Sequence, residues 1–311
     1  MQKSNAIFLM GPTAAGKTAM ALEIAKYLPV EIVSVDSAMV YKGLDIGTSK
    51  PTLTERASVP HHLIDIRNPK EPYSAAEFRS DALNIMEDIT RRQRIPLLVG
   101  GTMLYFRVLQ EGLSPLPSAD QKIRDHLLEE AKQNGWPAMH QRLAAIDPKT
   151  ADRLHPNDAQ RIQRALEVFE ITQKPMSELF AMNDSSVLNP CLQNYHVHAF
   201  ALAPASRAIL HQNIENRFHE MLAQGLILEV EKLFNQENLD PSLPAMRTVG
   251  YRQVLGYLAG DYSYEEMVSK AIAATRQLAK RQLTWLRSLP NTGWLENNHL
   301  ASLKSVIHCV S

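Results

Sequence analysis

The chain has 311 residues, 45% of them apolar, which suits one large domain or two modest ones with an ample core. Its 33 Lys and Arg balance 33 Asp and Glu, so net charge alone argues against a polyanion binder, although such affinity depends on where the cations sit. Two cysteines, Cys191 and Cys309, give neither a disulfide framework nor a metal-ligand spacing, in keeping with a reducing cytoplasm, and the N-terminal run AIFLM is too short for a signal peptide or a membrane span.

In chain order, AIFLM (6–10) and EIVSVDS (31–37) read as short buried strands, and TAMALEIAKYL (18–28) between them has helical spacing. IPLLVGGT (95–102) and HVHAFALA (196–203) read as later strands. Buried strands alternating with helices predict an α/β fold: a P-loop NTPase-like parallel sheet flanked by helices. From 113 to 190 no strand is expected, so this stretch reads as an all-helical insertion dividing the core into 1–112 and 191–311. Within it, Ser118 and Gln121 stand at capping-box spacing, and Asp147–Pro148 and Pro156–Asn157 read as further helix starts. NDAQRIQRALEVFEIT places Ile162, Ala165, Leu166 and Phe169 on one side of a helix, with Gln160 and Arg164 facing away and Arg161 on the flank.

The strongest motif is GPTAAGKT, which satisfies G-x-x-x-x-G-K-[ST] with Gly11, Gly16, Lys17 and Thr18 and lies between a strand and a helix. Its glycines let the backbone of Gly11, Pro12, Thr13, Ala14, Ala15 and Gly16 curl toward phosphate oxygens. Lys17 adds charge, and the Thr18 hydroxyl suits a magnesium ion. Asp36 ends the second strand, and Gly100-Gly101-Thr102 ends another, so both should meet the phosphate loop at the carboxyl edge of the sheet. Asp36 then reads as a metal partner or a general base, with Asp65 a competitor for the metal role. On the helical wheel of 206–223, Arg217 falls beside Leu210, Ile214 and Met221, where a cation wants an anion, either a structural carboxylate or bound phosphate. Between Met267 and Arg287 there is no acid, and Arg276, Lys280 and Arg287 share a narrow helical arc that suits a phosphate backbone; RTVGYR (247–252) adds two more arginines. The pairs His61/His62 and His196/His198 lack a matching carboxylate or cysteine motif and read as local hydrogen-bonding residues.

These segments together resemble the bacterial tRNA dimethylallyltransferase (tRNA isopentenyltransferase) family over nearly the whole chain. GPTAAGKT, DSAMVYKGLDIGTSKP (36–51), VPHHLID (59–65), YSAAEF (73–78), PLLVGGTMLYF (96–106), HPNDAQRIQRALEV (155–168), IENRFHEML (214–222), RTVGYRQ (247–253) and KRQLTWLR (280–287) carry the likeness. The resemblance implies a cytoplasmic, monomeric prenyltransferase that uses Mg2+. It would move the dimethylallyl group of dimethylallyl diphosphate to the exocyclic amine of the adenine 3′ of the anticodon, in tRNAs reading codons that begin with U. It assigns catalysis to Asp36 as base, Thr102 as orienting group and Lys17, and diphosphate binding to residues 11–18 with Arg217. Contacts to the tRNA anticodon stem-loop are implied for Asp36, Ser37, Ala38 and Met39, for Thr102 and Arg124, and for Gln160, Arg161, Ile162, Gln163 and Arg164. Two further segments complete that surface: Arg247, Thr248, Val249, Gly250, Tyr251 and Arg252, and then Lys280, Arg281, Gln282, Leu283, Thr284, Trp285, Leu286 and Arg287. Met39 departs from the many relatives that carry Gln there, and a thioether cannot reproduce amide contacts to RNA. A small-molecule P-loop kinase would account for Gly11–Thr18 and Asp36 equally well, but not for the acid-free cationic helix. A tRNA-binding protein without activity would not need Lys17, Thr18, Asp36 and Thr102 intact.

Overall fold

The computed structural model describes residues 3–112, 116–182, 192–237, 239–241, 243–296 and 299–310. The expected insertion limits at 113 and 190, and Cys191, lie outside them. Two compact units result, one from Met1–Gln110 with Asn189–Ser311 and one from Glu111–Leu188.

The first unit opens with β1 (Ser4–Met10), α1 (Lys17–Ala25), β2 (Val30–Val35), α2 (Leu53–Ser58), β3 (His61–His62), α3 (Ala75–Arg91), β4 (Ile95–Gly100) and α4 (Met103–Glu111). The second unit holds α5 (Gln121–Asn134), α6 (Trp136–Ile146), α7 (Pro148–Ala151), α8 (Ala159–Thr172) and α9 (Met176–Met182). The chain then returns with β5 (Tyr195–Ala203), α10 (Arg207–Ala223), α11 (Leu226–Glu237), α12 (Tyr251–Leu258), α13 (Tyr264–Ser288), β6 (Gly293–Glu296) and α14 (His299–Val310).

Six parallel strands run in the order β3-β2-β4-β1-β5-β6. Side chains alternate across β1: Ala6, Phe8 and Met10 enter one core with α3, α4 and α10–α13, while Ile7 and Leu9 enter the other with α1 and α14. Burial on both faces explains why these strands read as continuous apolar runs. The carboxyl ends of β1, β2 and β4 lie side by side, with Met10 and Val35 both paired with Gly100, so the phosphate loop, Asp36 and Thr102 issue from one edge.

The insertion packs Leu127, Ala131, Met139, Leu143, Ile162, Ala165 and Leu166 into its own core. Its first helix is capped by Asp120, which accepts from the amides of Lys122 and Ile123, rather than by Ser118: the carboxylate adjoins the first turn and reaches its unpaired donors directly. Asp147 caps α7 as expected, and Asp158, just past Pro156–Asn157, caps α8. Among the described residues, no helix is long and apolar enough to cross a membrane.

Candidate active site

After β1 the chain turns through Ala14 (φ 61°) and Gly16 (φ 88°) before α1 begins at Lys17. Gly16 is needed there because a left-handed residue directly before a helix aims the first-turn amides outward. The N–H groups of Ala14 through Thr18 find no protein acceptor among the described residues. The preceding residue, Thr13, differs: its N–H donates to Gln282 Oε1 at 2.9 Å. Lys17 Nζ donates to the carbonyls of Gly11 and Pro12 at 3.0 and 2.7 Å. Burial, and next the charge of Arg217, lower its pKa to about 7, while Asp36 opposes them.

Arg217 comes from α10, whose Leu210, Ile214 and Met221 are buried as their spacing predicted. Its Nη2 donates to the Thr48 carbonyl at 3.2 Å, and no carboxylate lies within ion-pair distance among the described residues. Burial depresses its pKa, and Asp36 and then Glu220 partly restore it. A cation in this position is complementary to an anionic ligand.

Asp36 Oδ1 accepts the amides of Ala38 and Met39 at 2.8 and 3.3 Å, closing its own turn and leaving Oδ2 for other work. Thr102 Oγ1 accepts the Ser37 amide at 3.1 Å, and its own N–H donates to Val35 at 3.2 Å. The rival acid, Asp65, is neutralised by Lys50 at 2.6 Å and Arg56 at 2.8 Å, and lines neither cavity of the site.

Two cavities meet here. One, of about 550 Å3, is lined by Asp36, Ser37, Ala38, Thr102, Arg247–Gly250, Arg281 and Trp285. The other, of about 900 Å3, is lined by residues 13–18 with Met39, Ser49 and Ile64. Thr13, Ala14, Asp36, Thr48, Gly101, Arg217 and Gln282 border both and form a waist. One side offers backbone amides without a protein acceptor among the described residues, the other offers aromatic and cationic groups, and a carboxylate stands between them.

The chemistry of that waist suits transfer between a phosphorylated donor and a larger acceptor, and the comparisons agree. A family profile described as IPP transferase matches residues 39–289, most of the chain. The chain belongs to the IPP transferase family. Similar solved structures include a tRNA isopentenylpyrophosphate transferase from Bacillus halodurans, 33% identical with a TM-score of 0.71 over 99% of this chain and 97% of that one. A tRNA delta(2)-isopentenylpyrophosphate transferase from Staphylococcus epidermidis is 32% identical, with a TM-score of 0.70 over 99% of each chain. A eukaryotic dimethylallyltransferase acting on tRNA is 27% identical, with a TM-score of 0.78 over 97% of this chain and 76% of that one. The matched profile starts at Met39, so the Gly11–Thr18 loop of this IPP transferase family member lies outside the profile.

The remaining expected residues divide by environment. Lys280, Arg281, Thr284 and Arg287 are exposed on α13, and Trp285 receives the Arg107 guanidinium 5.7 Å from its ring centroid. Leu286 is buried and Leu283 packs against the core. Arg276, expected to share with Lys280 and Arg287 an arc suited to a phosphate backbone, instead pairs with Glu215 at 2.8 Å, because α10 packs along that part of α13. Arg247 and Arg252 are exposed; Tyr251 is buried, with its hydroxyl on Glu229. In the insertion, Gln160 and Arg161 are exposed, Ile162 is in the core, and Gln163 donates to the Arg124 carbonyl. Arg164 does not face outward as its wheel position suggested: it pairs with Glu167 and donates to the Pro117 carbonyl, and Arg124 pairs with the same Glu167. Met39 Sδ accepts from the Ser34 hydroxyl at 3.8 Å, and Met39 lines the same cavity as residues 13–18.

Sequence reasoning missed Glu229, whose carboxylate accepts the amides of Asp45, Ile46 and Gly47 and so holds the loop that presents Thr48 to Arg217. It also missed the ties that Asn213 and Gln282 make to the phosphate loop. Of the histidines, His61 bonds locally to the Val59 carbonyl, whereas His62 meets the Glu31 carboxylate and His198 the Asn5 side chain, partners distant in sequence that the sheet brings alongside.

Proposed function

We propose that this chain transfers the dimethylallyl group of dimethylallyl diphosphate to the exocyclic amine of the adenine just 3′ of the anticodon, in tRNAs that read codons beginning with U. The observation that carries the reading is the waist: a half-buried Arg217 with no carboxylate partner among the described residues and the Thr13–Thr18 loop meet at Asp36, with Thr102 and the Arg247–Gly250 segment beyond it.

In this reading the phosphate loop holds a leaving group. The amine nitrogen attacks the first carbon of the allyl chain, the bond from that carbon to the diphosphate oxygen breaks, and diphosphate departs with the electron pair. Lys17, Arg217 and the amides of Ala14–Thr18 stabilise the charge gathering on its oxygens. Lys17 would leave its own loop carbonyls for the diphosphate and recover a full positive charge there. An aromatic exocyclic amine is a poor nucleophile, so a base must take its proton as the new bond forms. Asp36 fills that role with Oδ2, while its other oxygen keeps the turn closed. Thr102 orients the amine through its hydroxyl. The target base must leave its stack to enter the cavity, where Tyr41, Tyr73 and Trp285 provide aromatic walls.

Thr18 lies in the first turn of α1 and lines the cavity with Asp36, so its hydroxyl would hold Mg2+ as a hard oxygen ligand beside the diphosphate. When bound, that ion neutralises part of the leaving group's charge.

The test is incubation with labelled dimethylallyl diphosphate, Mg2+ and unmodified tRNA, beside a second arm with labelled ATP and small metabolites. Label in the tRNA is expected. Label in a metabolite, with the tRNA unmodified, overturns the reading in favour of a kinase.

A further inference from the structure

Gln282 belongs to the segment that the family resemblance assigns to RNA, yet its side chain is already committed within the protein. It is buried, at 9% exposure, and 269 residues beyond Thr13 in the chain. Oε1 accepts the Thr13 N–H at 2.9 Å, and Nε2 donates to the Gly101 carbonyl at 2.8 Å. One amide thus bridges the first turn of the phosphate loop and the loop that ends in Thr102, with its acceptor and donor each facing the complementary group. A Cβ at Gly101 would lie 2.4 Å from Nε2, so the close approach requires glycine. Beyond Gly101 the chain continues into Thr102, which binds the Ser37 amide beside Asp36. A hydrogen-bonded path therefore runs from the phosphate loop through Gln282 and Thr102 to the turn carrying the proposed base.

We infer that Gln282 is a positioning residue, which sets the distance between the diphosphate and the acceptor amine and makes no contact with RNA. The inference rests on the transferase reading above. Arg281 and Trp285 line the acceptor cavity from the same helix, so that helix holds the phosphate loop through one side chain and meets the acceptor through its neighbours. It follows that the Thr13 amide serves Gln282 and not the diphosphate.

Two variants test this. Q282L keeps the volume and removes both bonds. Q282E is more discriminating, because a protonated carboxyl reproduces both bonds, whereas an ionised one opposes the Gly101 carbonyl. For Q282L, kcat/KM for dimethylallyl diphosphate should fall by about 10- to 100-fold while the tRNA Kd stays within about twofold. For Q282E, activity relative to wild type should be low near about pH 8 and recover as the pH is lowered toward about 6. Lys17, Asp36, Arg217 and Arg281 line the same cavities and are present in both proteins, so the ratio reports the introduced carboxyl. If Q282L does not fold, the Q282E profile carries the test. Weaker tRNA binding with unchanged kcat overturns the inference in favour of an RNA contact. Wild-type kinetics for Q282L, or a Q282E profile parallel to wild type, overturns it outright. Calorimetric titration with inorganic diphosphate separates this inference from the reading beneath it: weaker binding to Q282L supports the bridge even if the wild type prenylates no tRNA, and unchanged binding in that case overturns it.

Discussion

Lys17 and Arg217 are two poorly solvated cations facing one cavity, each bonded to backbone carbonyl oxygen, with no carboxylate in ion-pair distance among the described residues. Burial and then Arg217 bring the Lys17 pKa from 10.5 to about 7, so above neutrality much of the free protein holds a neutral lysine. A bound diphosphate raises that pKa again. Binding should therefore take up a proton at about pH 8, and affinity should weaken as the pH rises above about 7, by at most about tenfold per unit. Calorimetry in buffers of different ionisation enthalpy measures the uptake, and K17M should lose it. Equal uptake by the two proteins would exclude Lys17 as the titrating group.

Asp36 Oδ1 is committed to its own turn and Oδ2 is the proposed base, and two substitutions separate these roles. D36A loses both the acceptor for Ala38 and Met39 and the proposed base; D36N retains an acceptor for the turn but cannot take a proton. Both should lower kcat by about 100- to 10,000-fold, with tRNA affinity near wild type. Only D36A should also lower the melting temperature. Near wild-type turnover by D36N removes Asp36 from its assigned role.

What was legible in the sequence is what local pattern dictates. The phosphate loop, Asp36 and Gly101–Thr102 each follow an apolar run, and parallel strands bring their carboxyl ends to one edge. The short edge strands β3 and β6, two and four residues long, carry too little pattern to be recognised. Side-chain commitments were illegible for a different reason. Arg276 and Lys280 share an arc on the helical wheel, but only the packing of α10 decides that Arg276 meets Glu215. Gln282 looks like one more polar residue in a cationic segment until Thr13 and Gly101 are brought to it by the fold.

That difference between Arg276 and its neighbours sets an expectation for RNA binding. Counterion release counts cations that reach phosphate, and Arg276 is already paired. Changing Lys280, Arg281 and Arg287 together to Ala should reduce the slope of log affinity against log salt by about 2 to 3, whereas R276A should leave it unchanged. Anisotropy titrations of labelled tRNA across a salt series give both slopes. If the triple variant keeps the wild-type slope, this face of α13 meets solvent only.

Glu167 in the insertion has no solvent exposure, yet it carries the pairing of three groups. Arg124 at 2.9 Å, Arg164 at 2.6 Å and the Asp120 amide at 2.8 Å all converge on it, joining α8 to the start of α5. Burial pushes its pKa up, but the hydrogen bonds from Arg124 and then Arg164 outweigh it and the net shift is downward. With the folded pKa below the unfolded one, the contribution is complete above the unfolded value of about 4.3 and is lost as the pH falls through the folded value. E167Q leaves two guanidiniums facing a neutral amide, and should destabilise the insertion by about 3 kcal/mol near pH 7. Urea denaturation at about pH 7 and about pH 3 should show the gap between E167Q and wild type narrowing in acid. A gap that is the same at both pH values would mean that the carboxylate's charge does not hold these arginines.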